Sequence, residues 1–211
     1  MGQVKGNPTP SYQNQGYETL YPNKNHYTEK SGMTVPIMID IDYRPAQALL
    51  SYGSFYDTET QSSSLSGGVY SMKLNHTDSA KGFVIENDTN NFPTRIKALQ
   101  TGVYNLQFSA QLANTANTNI DFAIWFAYTG SNISNSTTQI SLTKASGQYG
   151  RQVASWNYIT PIQQNDYVEI KWATNSTTGE LLASGSGDGQ GGSGWIFPAI
   201  PSVIATVTQV G

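Results

Sequence analysis

The chain has 211 residues, of which 12% are charged, with 11 basic against 14 acidic side chains, a net charge of −3 and no cysteine. The missing cysteine excludes a disulfide framework, a thiolate nucleophile and cysteine-ligated zinc. The scattered Lys and Arg leave no basic stripe with which to neutralise phosphates, which excludes nucleic acid as a partner. Gly, Ser, Thr, Asn, Gln and Tyr are abundant instead, the composition of a turn-rich β protein with an uncharged polar surface, and such surfaces often meet other subunits. Residues 1–10 hold no apolar run, and no later run is long enough to span a bilayer, so neither a signal peptide nor a membrane helix is expected.

Residues 1–32 carry Pro8, Pro10 and Pro22 with no strand or helix periodicity, which reads as an extended arm. Tyr12, Tyr17, Tyr21 and Tyr27 punctuate it, and rings of this kind give contact area to a partner at small entropic cost. A short strand at residues 35–42, with Ile37, Ile39 and Ile41 on one face, joins the arm to the body. The division expected is therefore an arm over 1–48 and a β domain over 49–211.

That domain opens at residues 51–57. Short strands are expected at 69–74, 82–85 and 95–99, separated by turn-forming stretches such as 87–91. The strongest strand signal is 102–112, where Tyr104, Leu106, Phe108, Ala110 and Leu112 share one face and Asn105, Gln107, Ser109 and Gln111 the other. It should be central in its sheet. The alternating run 120–128 follows a turn-rich stretch, so the two are expected to pair as a hairpin. Further strands are expected at 138–142, 152–159 and 166–172, then a glycine- and serine-rich loop at 185–194, and a β-branched strand at 202–210. A terminal strand that apolar must lie between others rather than at an exposed edge.

Three pieces of this series resemble the jelly roll of tumour necrosis factors and of the globular heads of complement and collagen-like proteins. They are Gly102-Val-Tyr104 running into Phe108 to Gln111, the turn and strand from Asn165-Asp166 to Ile170, and the apolar strand that ends the chain. Asn165 stands where that superfamily usually has glycine. The resemblance implies an all-β, antiparallel jelly-roll sandwich that trimerises through its inner sheets. Tyr104, Phe108, Phe122, Trp125, Trp156, Tyr158, Tyr167 and Trp172 are the candidate residues for that interface or for the core. The segments 52–57 and 201–208 look like those of structural proteins of tailed bacteriophages, especially marine and cyanobacterial ones. This implies a virion protein. A capsid decoration or cement trimer is expected, anchored to the major capsid protein or another virion protein by the tyrosines of the arm. The alternative is a receptor-binding tail fibre or spike head that recognises a host surface glycan. Only about fifty residues precede the domain and they lack heptads, which favours decoration over a fibre shaft.

Candidate chemistry is sparse. His26 and His76 lie in polar surroundings without a second ligand at metal spacing. Asp40 and Asp42 share a strand face but no oxygen-rich loop surrounds them, and the 185–194 loop lacks the lysine and helix of a phosphate-binding loop. The sequence therefore predicts no enzyme, no cofactor and no metal. The rival is a glycan hydrolase using carboxylates such as Asp40, Asp42 and Asp57.

Overall fold

The computed structural model describes residues 26–28, 34–36, 50–143, 149–186 and 197–211. The chain divides into two units, Met1–Leu49 and Leu50–Gly211. In the first, β1 (His26–Thr28) pairs antiparallel with β2 (Thr34–Pro36), so a backbone ladder lies inside the region expected to be a bare arm. Tyr12, Tyr17, Tyr21, Asp40 and Asp42 lie outside the described residues, as does most of the 185–194 loop.

The second unit is two antiparallel sheets packed face to face. In the first sheet, β9 (Gly102–Asn114) is central, as its alternation predicts. Along one side runs β13 (Gly150–Ile162), paired with it over its whole length. On the other side lies β16 (Val203–Gln209), continued end to end by β15 (Gly179–Leu181). The terminal strand β16 is in turn paired with β3 (Tyr52–Asp57), and β3 with the edge strand β6 (His76–Lys81). The two-residue β4 (Gln61–Ser62) pairs with β15.

The second sheet is built on β10 (Ile120–Tyr128) and β14 (Tyr167–Thr174). Beside β10 lie β11 (Ser131–Asn132) and β12 (Thr138–Leu142). Beside β14 lie β5 (Val69–Ser71) and β8 (Pro93–Ala98), with β7 (Phe83–Asn87) beyond β8. Except for the β10–β12 hairpin, the long strands from β8 onward alternate between sheets. The unit is an antiparallel jelly roll.

The expected hairpin of β9 with β10 does not form, because the two strands belong to opposite sheets. The crossing is fixed by Asn114, which is fully buried. Its side chain donates to the Thr118 carbonyl at 2.7 Å and accepts from the Ala116 amide at 2.8 Å. A tight bend that leads out of the plane of a sheet must supply its own hydrogen bonds, and the Asn amide does so.

The motifs also acquire a physical reason. Tyr104 folds back over Gly102 and donates its hydroxyl to the Gln100 carbonyl at 2.8 Å, so a Cβ on Gly102 would sit 3.0 Å from the tyrosine ring. Asn165 takes φ = 71°, the left-handed region that the usual glycine would occupy, and asparagine is among the few residues that tolerate it. Its amide donates to the Ala98 carbonyl at 2.7 Å, while the Ala98 amide donates to the Asp166 carbonyl at 2.9 Å, tying the turn to β8.

Candidate functional site

Outward positions on the two sheets differ in character. On the second sheet those of β7, β8 and β14 include charged side chains, four of which form two ion pairs. Lys97 meets Glu86 at 2.8 Å, Lys171 meets Glu169 at 3.1 Å, and the Arg95 guanidinium lies 4.4 Å from the centre of the Tyr167 ring. On the first sheet the outward residues of the central strands are uncharged. They are Asn105, Gln107 and Ser109 on β9, Val153, Ser155, Asn157 and Ile159 on β13, Ile204, Thr206 and Thr208 on β16, and Tyr52, Ser54 and Tyr56 on β3. Charge enters only at the margins, through Arg151, Glu180, Asp78 and Lys81.

This uncharged face is dotted with exposed apolar side chains. Val153 is 53% and Ile159 56% exposed, and Val103, Ile204 and Tyr52 are exposed beside them. Two hollows lie on it. One of about 370 Å³ is floored by β9, β13 and β16 around Gln107, Ser155 and Thr206. The other, of about 640 Å³, lies against Tyr56, Asp78, Ile200, Pro201 and Ile204. Tyr56, in the wall of the larger hollow, stacks on His76 at 4.9 Å and 19°. At the margin of the face, all thirteen residues of β13 pair with β9, and its other edge pairs with no strand among the described residues.

The eight aromatic candidates are not brought together on that face. Tyr104, Phe108, Phe122 and Trp172 are buried in the core between the sheets. Trp156 and Tyr158 also point inward, since they pair with Phe108 and Leu106. They are only partly covered because β13 is the last strand of its sheet among the described residues, and Trp156 lies on Phe108 at 4.5 Å and Tyr158 on Phe126 at 5.6 Å. Trp125 and Tyr167 point outward on the second sheet, Trp125 donating its Nε1–H to Asn132 at 2.8 Å. Of the arm tyrosines, only the backbone of Tyr27, in β1, is described.

Two carboxylates, Asp57 and Glu169, are committed to structure. Asp57 is 1% exposed, accepting from the Glu59 amide at 2.8 Å and from Gln61 Nε2 at 3.0 Å, and burial pushes its pKa up. Glu169 accepts from Ser71 and Thr94 as well as from Lys171. Among the described residues no group of three His, Cys, Asp or Glu side chains could hold a metal ion, and no helix is long and apolar enough to cross a membrane.

No protein-family model matches the sequence, and no curated protein matches it. Solved structures do. The chain is similar to murine APRIL at pH 5.0, with 10% identity and a TM-score of 0.43, over 76% of this chain and 99% of that one. It is similar to murine APRIL at pH 8.5, with 11% identity and a TM-score of 0.44 over 76% and 99%. It is similar to the globular domain of a zebrafish complement 1qA protein, with 13% identity and a TM-score of 0.39 over 77% and 98%.

Proposed function

We propose that this chain is a non-enzymatic structural protein of a bacteriophage virion, a homotrimer that decorates the capsid. The observation that carries the oligomer is the uncharged outer face of the first sheet. A solvated face has no reason to avoid Lys and Glu, whereas a face buried against another subunit does, because an unpaired charge there costs several kcal/mol, on the order of its desolvation. Asn, Gln, Ser and Thr can exchange hydrogen bonds across such a contact, while Val153, Ile159 and Ile204 fill the hollows. The outer edge of β13, which pairs with no strand among the described residues, gives a second reason, since an open edge of that length invites indiscriminate strand pairing. Threefold symmetry is taken from the resemblance of the Gly102, Asn165 and C-terminal motifs.

The virion setting rests on the two segments that look like phage structural proteins. They are neighbours in space: Tyr56 pairs with Ile204, Ser54 with Thr206 and Tyr52 with Thr208, so their outward residues form one patch of the proposed contact. The arm, with its four tyrosines, is the capsid anchor in this reading, and three arms on one trimer bind with the gain of multivalency. Deleting residues 1–32, which removes β1 but no strand of the jelly roll, should leave a trimer that no longer attaches to capsids. Normal decoration by the truncated protein, or its location only at the tail, would contradict the cement role. The second reading, a receptor-binding head, is favoured by one feature, a cationic groove on the opposite sheet.

A further inference from the structure

Over the outer face of the second sheet lies a cavity of about 380 Å³, walled by β5, β8 and β14 and by the turn at residues 88–92. Three cations line it, Lys73, Arg95 and Lys171, against two carboxylates, Asp88 and Glu169. Both carboxylates are already engaged. Glu169 takes Lys171 at 3.1 Å, Ser71 at 3.0 Å and Thr94 at 3.2 Å. Asp88 closes its own turn, its Oδ1 accepting the amides of Asn90 at 2.8 Å and Phe92 at 3.0 Å.

Lys73 and Arg95 are therefore left over. Neither has an ion pair among the described residues, and neither donates a side-chain hydrogen bond there. Arg95 Nε is fully buried with no acceptor. Each cation rests on an aromatic ring instead, Arg95 on Tyr167 at 4.4 Å and Lys73 on Phe92 at 4.8 Å. Lys73 also lies in the field of the buried Asp57 carboxylate, whereas the partly buried Arg95 guanidinium finds only a ring and keeps an unmet demand for an anion. The stacked guanidinium is also held in a fixed plane, which suits the two oxygens of a carboxylate.

From this we infer a binding site for a carboxylated sugar unit of an acidic polysaccharide. The cavity is of a size for one or two sugar rings, by comparison with small-ligand pockets of roughly 300–1,000 Å³. The groups around the cations are those that meet hydroxyls: Thr89, Asn90 and Ser62 line the cavity beside the exposed ring of Phe92. A small inorganic anion would use the charges and leave these groups idle.

Calorimetric titration of the full-length protein with tetragalacturonate tests the site, with maltotetraose as the neutral probe and inorganic phosphate as the bare anion. Tetragalacturonate should bind saturably and more weakly at higher salt, since screening weakens partly exposed charge pairs. Arg95→Gln should weaken binding by about tenfold or more, the loss of one charge-assisted bidentate contact, and Lys73→Gln should weaken it severalfold. Lys81→Gln, on the edge of the other sheet, should leave it unchanged. Absence of saturable binding by the wild type would overturn the inference. So would equal binding of maltotetraose, full competition by equimolar phosphate, or undiminished binding by both groove variants. The variants should keep the wild-type oligomeric mass, so a failure here is separate from a failure of the trimer.

Discussion

Trp172→Ala should destabilise the domain by about 3–5 kcal/mol, among the most damaging single truncations expected anywhere in it. Trp172 is 1% exposed at the middle of β14, stacked on Phe122 at 6.1 Å and tilted against Tyr70 at 5.2 Å. It therefore joins β10 and β5 across the strand on which both depend. Its Nε1–H is buried without a partner, so indole polarity adds nothing here and bulk does the stabilising. Trp172→Phe should accordingly cost much less than the alanine variant. Chemical denaturation at one fixed protein concentration compares the two, because the proposed assembly would make apparent stability concentration-dependent. Equal losses for both variants would refute the packing explanation.

A gain of one methyl group should be nearly as disruptive at Gly53. A Cβ built there lies 2.5 Å from Phe55 Cε2, 2.6 Å from its Cζ and 3.1 Å from Val207 Cγ1. Phe55 is wholly buried, so its ring cannot move aside without displacing its core neighbours. Overpacking of this kind costs about 1–3 kcal/mol, and Gly53→Ala should sit at the upper end of that range. The pairing of a glycine with an aromatic two residues on, on the same face, recurs at Gly102 and Tyr104. Combining Gly53→Ala with Phe55→Leu should recover part of the loss, since residues in contact couple non-additively. A double variant whose loss is the sum of the two single losses would show that the ring is not what the methyl group meets.

The sequence carries the strands with one buried face and loses those without. In β9, β10, β14 and β16 the alternation of apolar and polar residues marks both the element and its inward face. It says nothing of which strand lies alongside, and β10 consequently went to the opposite sheet from the one expected. The edge strand β6 reads His76-Thr-Asp-Ser-Ala-Lys81 and five of its six residues are exposed, so it has no buried stripe to leave a periodic signal. Of the aromatic residues named for the interface or the core, Tyr104, Phe108, Phe122 and Trp172 lie in the core, where the rings of both sheets interdigitate. The signal for the proposed assembly face is a different one. Outward positions of β9 and β13 carry no Lys, Arg, Asp or Glu between Gly102 and Ala113 or between Gln152 and Ile162, whereas those of β8 and β14 carry Arg95, Lys97, Glu169 and Lys171. The cationic groove could not be read in advance, as its residues come from separate segments that only the closed sandwich brings together.

The assembly itself is tested most directly by the molar mass of the purified protein, from light scattering behind gel filtration at micromolar and lower concentrations. The wild type should have three times the 22.9 kDa mass of the chain. A variant carrying Gln107→Glu and Ser155→Glu, which places two unpaired charges at the centre of the uncharged face, should fall to the mass of one chain while keeping its far-UV circular dichroism. A wild type of 22.9 kDa at every concentration, or a trimer that survives both glutamates, would contradict assembly through this face.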